Sequence, residues 1–416
     1  MCARSFDTMQ IIMAHGTWYQ TGGDWTYLKS VEELYSKRGV QIIPFSMSDD
    51  RNAPSDFSEY FVSNINYNEY HNKVTLTNVM NVLARAIYST EAAKSLSRLI
   101  NDHHIDLAQL NSIHNIQTLS ILPVLKAKDI PVVWRVLDYK ILCPNRTFLS
   151  NGKICTKCLS GNYFWATVKA CKKKSLPASL ISSLDAYFNK YKKYYDLVDM
   201  FLLQSEFSRQ LFLKAGFPES KLKIIPNPYK LSEEVTDTQE NPVDDYILYF
   251  GRLSSEKGIH TLIEAMKNLE NLVLYVVGDG PQLFYLKEIA AKVSPDKIKF
   301  LGPMWGSDLQ DVIRFAKLTV VPSEWFEVSP YAILQSFDLG IPVVGSRIGG
   351  IPDLVIDGYN GKLFESGNPS DLAKAVTEVL DDKETNYFFN CRKYLDDMHN
   401  PQGYYDATMS LFTKLI

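Results

Sequence analysis

Two patterns of apolar residues alternate along the first half of this chain. Short, almost continuously apolar runs occur at Met9–Ala14, Val40–Phe45, Leu107–Leu110, Pro131–Trp134 and Met200–Leu203, which is what a strand buried on both faces requires. Between them the spacing becomes helical. Leu28, Val31, Leu34 and Tyr35 share one face of a helix predicted over 24–38, and Gly39 offers the left-handed residue that ends it. Further helices are predicted over 119–128 and 205–215. Strand, helix and strand in succession give a parallel sheet covered by helices, so the fold class is α/β.

The pattern fails between Leu231 and Asp245, where Glu233, Glu234, Thr236, Asp237 and Thr238 make a polar stretch. It then restarts with a strand at 246–250, a loop at 251–258, a helix whose face carries Ile259, Leu262, Ile263 and Met266, and a strand at 272–277. The expected organisation is a Rossmann-like domain over 1–228 with a cysteine-containing insert at about 143–171, a linker over 229–245 and a second Rossmann-like domain over 246–390. A helical segment over 391–416 is expected to return toward the first domain. Two such halves enclose a cleft between the carboxyl ends of their sheets.

The 416 residues supply enough chain for two cores, and 46% hydrophobic with 22% charged residues is ordinary globular composition. A net charge of −3 gives no global attraction to nucleic acid, so an anionic ligand needs a local cluster. No run approaches the roughly 20 apolar residues of a membrane span, and the first nine residues lack the apolar core of a signal peptide. A cytoplasmic location is expected, at the inner face of the membrane if the basic segment described below docks there. The cysteines then read as thiols or metal ligands rather than disulfides.

Two segments carry anion-binding chemistry. Gly251-Arg252-Leu-Ser-Ser-Glu-Lys257-Gly258 follows a strand and opens a helix, gathering backbone N–H groups and two cations at one point. Between Val320 and Val344 a strand, a loop bearing Glu327, a helix opening at Pro330 and another strand follow one another.

Residues 250–382 resemble the donor domain of the family-four retaining GT-B glycosyltransferases. The signatures are Gly251-Arg252 with Glu256-Lys257-Gly258, Val277-Gly278-Asp-Gly-Pro281, Phe300-Leu-Gly302, Pro322-Ser323 with Glu327, Gly340-Ile-Pro-Val-Val344, Gly349-Gly-Ile-Pro-Asp353 and Asp357-Gly with Gly361. The first half agrees through Gly22-Gly23, Asp138-Tyr-Lys140 with Cys143-Pro144, Ser205-Glu-Phe-Ser208 and Ile225-Pro-Asn227. The resemblance implies a GT-B fold and transfer of a sugar from a nucleoside-diphosphate donor to a glycan or lipid-linked glycan acceptor, with no metal in catalysis and no nucleic-acid partner. Arg252 and Lys257 would neutralise the leaving diphosphate, and Glu327 would contact the donor sugar. Gly22, Gly23, Gly251 and Gly278 would border the donor, as would Val328, Ser329 and Tyr331 at the helix start.

Two positions depart from the family pattern. Gln335 stands where a second glutamate usually holds the ribose, and Leu137 stands where a histidine usually precedes the aspartate. Both leave room for an alternative, a catalytically silent nucleotide-sugar-binding subunit that supports a partner transferase.

Three constellations keep two readings each. Cys143, Cys155, Cys158 and Cys171 could form a structural four-sulfur zinc site, since Cys155-Thr-Lys-Cys158 presents two thiolates from one turn, or they could be free thiols. A basic, aromatic-rich stretch around Lys169–Lys174 and Lys190–Lys193 could touch an anionic membrane or be a solvated helix face. His15, with His114 and Asn115 after another strand, and Asp138 could line the acceptor side, although a histidine at such a place is also an ordinary core or rim residue.

Overall fold

The computed structural model describes residues 9–64, 85, 87–114, 116–233 and 245–416. Most of the expected linker, at 234–244, lies outside the described residues, and so do Asn115 and the first eight residues.

The first half forms strands β1 (Gln10–Ala14), β2 (Gln41–Phe45), β3 (Leu107–Asn111) and β4 (Val132–Arg135), a short hairpin of β5 (Leu149–Ser150) and β6 (Lys153–Ile154), then β7 (Met200–Leu203) and β8 (Leu222–Ile224). Six of these make a parallel sheet in the order β2-β1-β3-β4-β7-β8. The second half forms β9 (Tyr246–Phe250), β10 (Val273–Val277), β11 (Ile298–Gly302), β12 (Leu318–Val321), β13 (Val343–Ser346) and β14 (Gly361–Phe364). Their order is β11-β10-β9-β12-β13-β14, again all parallel. Strand order reverses between β9 and β12, and the carboxyl ends of the strands at such a switch point hold ligands in doubly wound folds.

The continuous apolar runs are explained by burial of each sheet on both sides. In β1, Ile12 and Ala14 face a core shared with the helices Thr90–Asp102 and Ile121–Ala127. Ile11 and Met13 face the helix Gly23–Ser36 on the other side. In β9 the same alternation sends Ile247 and Tyr249 one way and Tyr246, Leu248 and Phe250 the other.

The chain returns to the first half at its end. The helix Tyr387–His399, which contains residue 391, packs Cys391, Tyr394 and Leu395 against Ile333 and Phe337 of the second half. The return therefore begins after His399. The helix Pro401–Leu415 then lays Tyr404, Met409 and Phe412 against Tyr27, Val31 and Tyr35. Hydrogen bonds join Tyr404 to Tyr27 (2.7 Å between hydroxyls) and Tyr35 to Thr408 (3.0 Å), so a helix distant in sequence completes the first core.

Candidate functional site

A cavity of about 410 Å³ lies between the two sheets and is lined from both halves. The first half contributes Gly22, Gly23 and Asp24 at the start of the helix Gly23–Ser36, Leu137 to Tyr139 after β4, and Arg146. The second contributes Gly251, Arg252 and Lys257 after β9, Ser323 and Trp325 to Pro330 after β12, and Tyr331, Ala332 and Gln335 from the helix Tyr331–Asp338. Pro330 caps that helix from an extended conformation (φ −71°, ψ 120°), one residue earlier than a first-turn proline would stand.

The central contact is Lys257 Nζ to Glu327 Oε1 at 2.7 Å, and Ser323 Oγ donates to the same oxygen at 2.7 Å. Burial alone would raise the carboxyl of Glu327. The charge of Lys257 and hydrogen bonds from Lys257 and Ser323 outweigh it and hold the group below its ordinary range. Glu327 is thus a buried anion facing the cavity beside the N-terminus of a helix, whose dipole and free N–H groups favour negative charge there. Ser329 Oγ and Tyr331 OH are buried at this end without a hydrogen-bond partner among the described residues. Buried polar atoms are normally satisfied, so both are available to a ligand.

Across the cavity, Tyr139 OH shares a hydrogen bond with Ser208 Oγ (2.9 Å) and reaches the main-chain oxygen of Glu327 at 3.4 Å. Asp353 accepts from the N–H of Phe207 at 3.0 Å, and the ring of Phe326 lies between those of Phe148 and Phe207, at 5.7 and 4.8 Å. These contacts fix the loop bearing Glu327 against the first half. Asp138 is raised by burial, against the opposing pull of Arg146, whose guanidinium is 3.6 Å away.

The structure separates the expected site residues. Glu327, Arg252, Lys257, Gly22, Gly23, Gly251, Val328, Ser329, Tyr331, Gln335 and Asp138 all line the cavity. Gly278 does not; it supports Gly251 from beneath, where a Cβ would come within 1.9 Å of the Gly251 carbonyl oxygen at a φ of +138°. His15 is one step removed, buried with its Nδ1 on Thr17 and its Nε2 3.7 Å from the lining residue Asp24. His114 is turned into the first core, against Trp134 and bonded to Tyr195 at 3.2 Å. Burial, followed by the charges of Lys140, Arg146 and Lys172, holds it well below the ordinary imidazole range. Sequence reasoning missed Asp24 and Arg146. Asp24 follows Gly22-Gly23 directly, and that adjacency was the available signal.

The insert places its cysteines near one another without converging them on one centre. The hairpin of β5 and β6 turns at Asn151 and Gly152, both at positive φ (51° and 75°), which is the two-residue hairpin turn that Asn-Gly favours. Cys155 follows at once, bonded through its N–H to Phe148. Burial pushes the Cys158 thiol up to about 12, and the neighbouring Cys143, Cys171 and Cys155 add to the shift. All four are free thiols. Among the described residues no group of three or more His, Cys, Asp or Glu side chains is arranged to hold a metal ion, so zinc ligation would require these thiols to turn toward one centre.

Comparison with known proteins agrees with this geometry. Residues 232–394 match the family described as glycosyl transferases group 1. A GDP-mannose-dependent alpha-mannosyltransferase of Corynebacterium glutamicum is 36% identical over 135 residues, covering 32% of this chain and 31% of the relative. A lipopolysaccharide 1,2-N-acetylglucosaminetransferase of Salmonella typhimurium is 30% identical over 198 residues, covering 42% of this chain and 52% of the relative. The chain thus spans between about a third and a half of the length of such curated relatives. Among solved structures, the Anabaena protein HepE in complex with UDP superposes with a TM-score of 0.67 at 18% identity, covering 98% of this chain and 100% of that one. Sucrose-phosphate synthase from Thermosynechococcus elongatus gives 0.71 at 16% identity, covering 98% and 99%. At these identities the likeness establishes the fold, two facing Rossmann-like units of the GT-B type.

Proposed function

We propose, from the match of residues 232–394 to glycosyl transferases group 1 and the GT-B fold of the whole chain, that this protein transfers a sugar, with retention of anomeric configuration, from a nucleoside-diphosphate donor to a glycan or lipid-linked glycan. The observation that carries this is the gathering of Arg252, Lys257 and Glu327 at the carboxyl ends of β9 and β12, beside a helix N-terminus. In the reaction the bond from the anomeric carbon to the phosphate oxygen breaks, and its electrons pass to the diphosphate. The acceptor hydroxyl attacks from the same face and gives its proton to the leaving phosphate oxygen. Arg252 and Lys257 act where charge grows, which is where fixed cations accelerate a reaction most. Glu327, kept ionised, faces the developing positive charge of the sugar. None of these steps calls for a metal. UDP bound to the HepE structure supports a nucleotide in the corresponding cleft.

The test is release of free nucleoside diphosphate during incubation with nucleotide-sugars, the donor first selected by thermal stabilisation of the protein. Arg252→Ala and Lys257→Ala should each lower turnover by at least about tenfold; Arg252→Ala should keep the unfolding midpoint near that of the wild type, whereas Lys257→Ala also leaves the buried carboxylate of Glu327 unpaired and should lower it. Unchanged kinetics in both would remove the assignment. Gln335 and Leu137, both facing the cavity, favour the silent-subunit alternative. A protein that is stabilised by the donor yet releases no diphosphate, with or without acceptor, would establish that alternative.

A structural zinc in the insert belongs to the same proposal. It is supported by the mutual proximity of Cys143, Cys155, Cys158 and Cys171 and by the N–H groups of Phe148 and Asn145 directed at Cys143. Elemental analysis of protein prepared without chelator should find about one zinc per chain, lost in Cys155→Ser with Cys158→Ser. Metal-free protein of unchanged stability would overturn it.

A further inference from the structure

The helix Leu176–Tyr191 is amphipathic in the reverse sense. Its polar residues Ser179, Ser182, Asp185 and Asn189 are buried, whereas Leu176, Leu180, Leu184, Tyr187 and Tyr191 are 38% to 82% exposed. The exposed five recur at spacings of four, four, three and four, so they form one stripe along the helix. Phe164 and Val168, 60% and 52% exposed on the adjoining helix Phe164–Val168, widen the stripe into a ridge. A surface helix normally turns such residues inward, and an exposed apolar patch of this size marks a contact.

The charges around the ridge have one sign. Between residues 151 and 193 there are nine lysines and a single carboxylate, Asp185. That carboxylate is buried and paired with Lys140 at 2.9 Å, so it offsets none of the exposed lysines. Lys173 and Lys174 stand just before the helix and Lys190, Lys192 and Lys193 at its end, all exposed. A second copy of the chain is a poor occupant, because a two-fold contact would set this lysine-rich face against itself. An anionic bilayer satisfies both halves of the pattern: leucines and tyrosines enter the headgroup boundary while lysines meet phosphates, each contributing roughly fivefold in affinity.

We propose that the exposed ridge of the helices Phe164–Val168 and Leu176–Tyr191, with its flanking lysines, docks the protein on an anionic membrane surface. The docking does not rest on the transferase reading. It has a consequence for it, since the Asp185–Lys140 pair ties the docked helix to the segment Leu137–Tyr139 that lines the cavity.

Co-sedimentation of the full chain with vesicles tests this without any donor. Binding to phosphatidylcholine mixed with phosphatidylglycerol should exceed binding to phosphatidylcholine alone by at least about tenfold and weaken as salt is added. Leu180→Gln with Leu184→Gln and Tyr191→Ser should lower it by at least about tenfold. Lys173→Gln with Lys174→Gln, changes at exposed positions that leave packing alone, should reduce the anionic preference even if the apolar variant folds poorly. Equal binding to both vesicles, or wild-type binding by both variants, would overturn the proposal. So would a dimer in solution that the apolar variant dissociates while vesicles go unbound, since the ridge would then belong to a second copy. Failure here leaves diphosphate release untouched, and loss of that release leaves vesicle binding intact.

Discussion

Gln335 faces the cavity from the second turn of the helix Tyr331–Asp338, at the place where the family resemblance leads one to expect a ribose-holding carboxylate. Gln335→Glu should tighten binding of free nucleoside diphosphate, because a charged acceptor makes hydrogen bonds worth about 1.5–3 kcal/mol rather than about 1. Titration calorimetry reads this directly. Weaker binding would mean that the amide donates its N–H to a partner, and that Gln335 does not hold the ribose through its oxygen. Much of the cavity lining was legible in sequence, since Lys257 and Glu327 each follow a strand and precede a helix, and such loops meet at the carboxyl edge of a parallel sheet. Of the core and acceptor-side readings open for His114, the core one holds. That histidine also follows a strand, but its ring turns back onto Trp134, and the rotation of a side chain after a strand has no sequence signal.

At the scale of single elements, the buried pair of Lys140 and Asp185 joins the helix Leu176–Tyr191 to the cleft, with Asn189 donating to Asp185 at 2.8 Å. Asp185→Asn strands the ammonium of Lys140 in the interior and should destabilise the protein by about 3–5 kcal/mol. Lys140→Met with Asp185→Leu should recover much of that, because two apolar groups leave no charge unpaired. Urea unfolding midpoints of the three proteins decide between this and a surface pair, for which all differences would stay within about 1 kcal/mol. Nothing in the sequence singles out Asp185: one carboxylate among lysines reads as solvated charge. The helix itself was legible as an amphipathic stretch, yet which side faced inward was not. Periodicity gives the angle of the stripe but not its direction.

For the molecule as a whole, the first core is finished by the last helix. Tyr404 is buried between Tyr27 and Tyr35 and lies 6.0 Å from the guanidinium of Arg135. Tyr404→Ala should cost about 3–5 kcal/mol, comparable with other large aromatic deletions. Calorimetry should show that loss in the unfolding of the first half, and a melting profile unchanged by the substitution would contradict the docking of this helix. Helical spacing after residue 401 made the element legible, whereas its crossing point at Asn400 rests on contacts such as His399 Nδ1 with the Asn227 carbonyl at 2.8 Å. The arrangement also imposes a delay during synthesis. At about 5–20 residues per second the ribosome needs roughly 10 to 35 s to extend the chain from residue 228 to residue 401. Throughout that interval the nascent first half holds Tyr27, Val31 and Tyr35 without their cover, so its core stays open on that side until the last helix has been made.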